Sequence, residues 1–193
     1  MRKLLLNYWT KPLPQMESER ILPRADENQT KTLIIIAFFS ALTALLQSAG
    51  GFLPGAGYLI SPFSTAPIVL STLITLRSGL TAYALSCLLL LLLQPSELIV
   101  FPFTTGLLGL ALGFGMTHFK NRIQVILFSS VALWMGIALV VYAFRFPILG
   151  PTVSINFQVD ISVYVFLFSL LYSGIWTEIS LRLLARLKKA VQK

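Results

Sequence analysis

From Leu33 onward the chain alternates between long apolar runs and short polar breaks, and the runs approach the roughly 20 residues that a helix needs to cross the hydrocarbon of a bilayer. The first, LIIIAFFSALTALLQSA, covers Leu33–Ala49 and is left through Gly50 and Gly51. The second, about Tyr58–Leu76, contains Pro62 and Pro67, so its outer part is expected to be irregular and to line a cavity. Arg77-Ser78-Gly79 reads as a tight return into the third run, Leu80–Leu93, whose SCLLLLLL stretch suits a lipid-facing helix. Gln94–Glu97 breaks it. The fourth, Leu98–Met116, carries Gly106, Gly109, Gly113 and Gly115, a strip on which a neighbouring backbone can approach closely. After HFKNR come a fifth run, Ile123–Phe144, a longer break from Arg145 to Asp160, and a sixth run, Ile161–Leu181. The pattern predicts an all-α fold, a six-helix transmembrane bundle.

Charge refines that prediction. Lysines and arginines accumulate on the cytoplasmic side of membrane proteins. With six spans, one side receives Arg2, Lys3, Lys11, Arg20, Arg24, Lys31, Arg77, Lys120, Arg122, Arg182, Arg186, Lys188, Lys189 and Lys193, and the other receives only Arg145. Merging or dropping a span would scatter these residues over both faces. The split of 14 to 1 therefore predicts both termini in the cytoplasm. It divides the chain into a cytoplasmic segment 1–30, a membrane domain 31–184 and a basic tail 185–193. The weak point is the pair formed by the second and third spans, which a short hairpin would turn into a re-entrant pair. The start, MRKLLLNYWTKPLPQ, has too short an apolar stretch for a signal peptide and is expected to be retained.

Composition agrees. Of 193 residues 56% are hydrophobic and 11% charged, and the mean hydropathy is +0.81, more apolar surface than a small soluble core could hide. The net charge of +8 is explained by topology, so nucleic acid is not an expected partner. One histidine, His118, and one cysteine, Cys87, cannot build a metal site, and neither GxxxxGK[ST] nor GxSxG occurs. No enzyme activity, metal or cofactor is expected. Carboxylates avoid the middle of the spans: Glu97 and Asp160 lie at outer ends, and Glu178 lies near the inner end of the sixth, four residues before Arg182 on the same helix face, where an ion pair between them is expected.

The outward breaks gather the polar residues: the GGFLPGAGY loop, then Gln94, Ser96 and Glu97, then Arg145, Asn156, Gln158 and Asp160. Aromatic walls from Phe52, Tyr58, Phe63, Tyr142 and Tyr164 would complete a pocket for a small polar ligand. Phe52, Tyr58, Glu97, Arg145, Asn156 and Tyr164 are the candidate ligand contacts. On the first span Ala37 and Ala41, with Ser40 and Ala44 beside them, form a small-residue stripe, suited equally to a helix of the same chain and to a separate subunit.

The AFFSA pattern, the glycine-rich outer loop, the ISPFSTAPIVLSTLITLRSGL stretch and the small-residue fourth span resemble a substrate-binding S component of an energy-coupling-factor vitamin transporter. The resemblance covers about Leu33 to Leu184. It implies a six-helix protein of the plasma membrane of a prokaryote. Such a protein captures a vitamin-like micronutrient at the outer face and associates with a membrane coupling subunit and two cytoplasmic ATPases. It also implies that Ala37 and Ala41 face the coupling subunit and that Gly50 to Phe63 caps the ligand. The metal-carrying branch of the family is disfavoured because no histidine stands near the start. The competing expectation is a scaffold subunit of a cell-shape or envelope-assembly complex, which would need no ligand pocket.

Overall fold

A chain crossing hydrocarbon must satisfy its backbone hydrogen bonds internally, which an apolar helix does with its own i to i−4 ladder. The computed structural model describes residues 29–53, 55–144 and 159–191, and every regular element among them is helical. In chain order these are α1 (Gln29–Phe52), α2 (Gly57–Ile60), α3 (Thr65–Ile74), α4 (Leu76–Leu93), α5 (Glu97–Val100), α6 (Thr105–His118), α7 (Arg122–Tyr142) and α8 (Val159–Val191). Short 3-10 segments, Ser61–Ser64 and Phe101–Phe103, join α2 to α3 and α5 to α6. Six stretches of the described residues are long and apolar enough to span a bilayer: Gln29–Phe52, Gly57–Ile74, Leu76–Leu93, Glu97–His118, Arg122–Tyr142 and Asp160–Leu187. The protein is a multi-pass membrane protein with an all-α six-helix fold. Of segment 1–30, expected to be extramembrane, residues 1–28 lie outside the described residues, and Gln29 and Thr30 begin α1.

Three details differ from the sequence expectation. The first span does not end at Gly50, because α1 continues to Phe52. Gly50 and Gly51 stay helical where the helix end is crowded by the turn from α4 into the fourth span: a side chain on Gly50 would come within 3.2 Å of Glu97 Oε1, and one on Gly51 would run into the Gln94 side chain. The turn that follows is made at Gly55, with a φ of +79° that only glycine adopts without strain. The return between the second and third spans is also earlier than Arg77-Ser78-Gly79. It is the single residue Thr75, extended at φ −154° and ψ 156°, whose hydroxyl caps α4 by accepting the Ser78 N–H at 3.0 Å. Arg77, Ser78 and Gly79 form the first turn of α4, and each of these two spans reaches 18 residues. The third difference concerns the small-residue stripe of α1, described below.

Helix α6 lies at the centre, packed against α3 and α7 and touching α4; α1 packs on α4 and on α2–α3, and α8 runs along α7 with little contact to α6. Without a hydrophobic drive between helices in lipid, close approach of small residues holds such bundles together. The glycine strip of α6 works in this way: a side chain at Gly109 would overlap Ile68, and one at Gly113 would overlap Thr72, both on α3. The stripe on α1 divides. Ser40 and Ala44 are fully buried against α4, where the Ser86 hydroxyl donates to the Ala82 carbonyl at 2.8 Å and also lies 3.2 Å from the Ser40 carbonyl. Ala37 and Ala41 are exposed. A helix turns about 100° per residue, so Ala41 falls about 100° from Ser40 around the helix, and the two pairs flank the boundary between the buried and outward faces. Most of the leucine run of α4 is outward as expected, with Leu92 at 81% exposure, but Leu90 is buried in a cluster with Ile36, Ala44, Ile68, Ala82 and Phe101.

Candidate functional site

Two spans are broken near the same end of the bundle, and both breaks contain a proline within a 3-10 segment. In the second span Pro62 lies in Ser61–Ser64, and in the fourth Pro102 lies in Phe101–Phe103. Proline lacks an N–H and disturbs the preceding turn, so carbonyls near it lose their usual helical partners. At membrane depth these must be satisfied by side chains or by close packing. Around Pro102 one substitute is visible, the Tyr83 hydroxyl, which donates to the Pro102 carbonyl at 3.0 Å; the Val100 carbonyl keeps its helical partner, the Thr104 N–H at 3.1 Å, and accepts from the Thr104 hydroxyl as well at 2.8 Å. The Phe103 carbonyl is pressed against Gly136 of α7, where any side chain would collide with it. Phe101 is fully buried and stacked on Tyr83, with ring centroids 5.8 Å apart, and it fixes the break in place.

Between these breaks sits a buried amide. Gln47 of α1, 2% exposed, donates from Nε2 to Glu97 Oε2 at 2.7 Å. Its Oε1 accepts from Ser64 Oγ at 2.7 Å and from Thr105 Oγ1 at 2.8 Å. Reversing the amide would set its oxygen against the carboxylate, so the acceptor Glu97 fixes the orientation. Four segments meet at this one side chain: α1, the 3-10 turn of the second span, and both sides of the break in the fourth.

Thr105 is also part of the wall of a cavity of about 730 Å³. Tyr58 and Pro62 of the second span and Val100, Thr104 and Thr105 of the fourth line one side. Leu133 and Ile137 of α7 and, from α8, Tyr164, Phe168 and Tyr172 among others line the rest of this open cavity. The lining is predominantly apolar, and its polar side chains, Tyr58, Thr104, Thr105, Tyr164 and Tyr172, all carry hydroxyls. The Thr105 proton is committed to Gln47, so toward the cavity this hydroxyl can only accept. Tyr58 and Tyr164 are 70% and 72% exposed and form the rim. Such a site suits a small, mostly apolar molecule that offers a hydrogen-bond donor.

The structure thus brings Tyr58 and Tyr164 to one cavity and sets Glu97 behind its wall, reached through Gln47 and Thr105. Phe52 ends α1 at 60% exposure and is not part of the cavity lining. Phe63 meets Trp176 of α8 edge-on at 6.1 Å. Arg145 and Asn156 lie outside the described residues. The stretch expected to be a capping loop, Gly50 to Phe63, is half helical, since it includes the end of α1, all of α2 and part of the 3-10 segment. Gln47, Ser64, Thr105 and Tyr172 carry the site without having been anticipated. The available signal was Gln47 itself, a lone amide inside an apolar run, which in lipid must find a partner on another helix.

At the opposite end Glu178 does not pair with Arg182. It accepts from Arg122 Nη1 of α7 at 2.6 Å, an ion pair whose side chains are 15% and 28% exposed for Arg122 and Glu178. The antiparallel packing of α7 and α8 brings these ends together, and it overrides the i, i+4 expectation. Comparison with family models, with curated proteins and with solved structures yields no match.

Proposed function

We propose that the chain is the substrate-binding membrane subunit of an energy-coupling-factor type importer in the plasma membrane of a prokaryote, with both termini in the cytoplasm. One observation carries the reading: the cavity between two proline-broken spans and α8, backed through Thr105 by the Gln47–Glu97 pair. Broken helices in membrane proteins place backbone and polar groups where a substrate is held. The ligand is a small micronutrient-like molecule, largely apolar, with an N–H or O–H for Thr105. The chain performs no catalysis, and ATP hydrolysis comes from two cytoplasmic ATPases acting through a membrane coupling subunit. The exposed Ala37 and Ala41 support a docking face for that subunit, because two small side chains on an outward helix face allow a partner helix to approach.

Native mass spectrometry of the purified protein tests this reading. A bound small molecule is expected, and Tyr164→Ala or Thr105→Val is expected to weaken its retention by about tenfold, the equivalent of one hydrogen bond or aromatic contact. Ala37→Trp is expected to abolish cellular uptake while the ligand remains bound. Absence of any retained molecule, or retention unchanged in a Tyr164→Ala/Thr105→Val double variant, removes the transport reading and leaves the scaffold.

A further inference from the structure

A second cavity, of about 780 Å³, lies at the other end of the bundle, in the seam between α7 and α8. From α8 it is lined by Leu170, Leu171, Gly174, Ile175, Glu178, Ile179 and Arg182, which fall on one stripe of that helix, and from α7 by Arg122, Ile123, Ile126 and Leu127. Its shape is set by Gly174: a side chain built there would meet nothing within 4 Å, so this glycine is not holding two helices together and instead leaves the groove open. Ile123, Leu127, Leu171 and Ile175 along it are 39%, 46%, 72% and 58% exposed, so the groove faces outward from the bundle.

Length and charge identify the occupant. Leu170 to Arg182 spans roughly 18 Å at a helical rise of 1.5 Å per residue. That is close to half of the roughly 30 Å hydrocarbon core, the depth of one leaflet. A transmembrane partner helix would need a face running through both leaflets. The charges stand only at the end of the groove. Arg122 and Glu178 neutralise one another across it, whereas Arg182 has no carboxylate within 4 Å among the described residues, and the exposed Arg186 follows one turn later. Of the three described carboxylates, Glu97 and Asp160 lie at the opposite end of the bundle, so among the described residues the mouth of the groove is positive. An apolar channel of single-leaflet depth ending at a cationic rim matches an acyl chain below a phosphate.

We propose that this groove is a binding site for an anionic phospholipid, with one acyl chain lying over Gly174 and the phosphate at Arg182. The site is independent of the cavity at the other end and stands whether or not that cavity holds a substrate. Basic pockets between transmembrane helices commonly take anionic head groups, and one basic side chain at an anionic surface contributes about 1 kcal/mol, which corresponds to about fivefold in affinity.

The test is native mass spectrometry of the full chain, equilibrated with equimolar phosphatidylglycerol and phosphatidylcholine and then stripped progressively with detergent. The wild type is expected to keep one phosphatidylglycerol with about fivefold preference. Arg182→Gln is expected to erase the preference, and Gly174→Leu, which fills open space without a clash, to remove the tightly held lipid of either kind. Leu92→Trp, on the exposed face of α4, is expected to leave both readouts unchanged. Equal retention of the two lipids by the wild type, or retention unaltered by Gly174→Leu, overturns the proposal. A wild-type dimer that Gly174→Leu dissociates overturns it in favour of a second copy of the chain.

Discussion

Gln47→Leu is the sharpest probe of the site, because it keeps most of the side-chain volume and removes one amide on which three other groups depend. Ser64 Oγ, Thr105 Oγ1 and Glu97 each lose their partner at 2.7 to 2.8 Å. Double-mutant cycles on interhelical hydrogen bonds in lipid average about 0.6 kcal/mol, so three such bonds come to about 2 kcal/mol. The soluble-protein cost of a buried unsatisfied polar group, about 1–3 kcal/mol each, would give considerably more. The lower figure is the better guide here, for two reasons. Glu97 is only partly buried and regains water when released, and the new leucine is welcome in an apolar bundle. Only Ser64, fully buried, bears the full penalty. The expected loss is therefore about 2 kcal/mol, close to a 30-fold shift in the unfolding equilibrium, read by reversible unfolding in mixed micelles with a rising fraction of denaturing detergent. Glu97→Gln keeps an oxygen for Gln47 Nε2 and is expected to lose under about 1 kcal/mol. A Gln47→Leu protein within about 0.5 kcal/mol of wild type would show that the four segments are not tied through this side chain, and the reasoning about the wall of the cavity would fail with it.

Gly136→Val drives a branched side chain into the Phe103 carbonyl and is expected to cost about 1–3 kcal/mol in the same unfolding assay, whereas Gly174→Val, into open space, is expected to cost under about 1 kcal/mol; equal losses would deny the close contact at the fourth-span break. Arg122→Gln strands the half-buried Glu178 and is expected to destabilise by about 1–2 kcal/mol, discounted for the residual exposure of the pair, while Arg182→Gln is expected to be neutral in stability. If Arg182→Gln is the more damaging of the two, the pair has been assigned wrongly. In a Cys87→Ser background, Ala56→Cys is expected to react in intact cells with a membrane-impermeant maleimide, and Lys120→Cys only after lysis; the reverse pattern would invert the topology drawn from the charge split.

The six spans were legible because hydropathy and charge report on the same variable, depth in the membrane, and do so residue by residue. What lies within one span was less legible. Pro62 announces the break in the second span because glycines precede it, but Pro102 sits in VFPF, where the surrounding apolar run conceals the break. Gly50 and Gly51 read as an exit from the first span, yet α1 passes through both, since their missing side chains are needed where Gln94 and Glu97 crowd the helix. Tyr58 and Tyr164, singled out from their position at the ends of two spans, both line one cavity. Gln47 was not, because a single amide in the run ALLQSA gives no hint of which helices will supply Ser64, Thr105 and Glu97.

Pairings across the bundle are invisible to a one-dimensional reading for a related reason. Glu178 and Arg182 share a helix face, and on an isolated helix they would pair. In the bundle Arg122 is delivered from α7 to a site where both partners are largely desolvated, and a carboxylate removed from water binds the cation that shares its enclosure. Arg182 is thereby left in the lining of the groove with its charge uncompensated among the described carboxylates. The residue that sequence spacing would have neutralised becomes the one available to a lipid phosphate. The local expectation fails because the antiparallel contact of α7 and α8 changes the partner, and that change puts a positive charge at the end of an apolar groove.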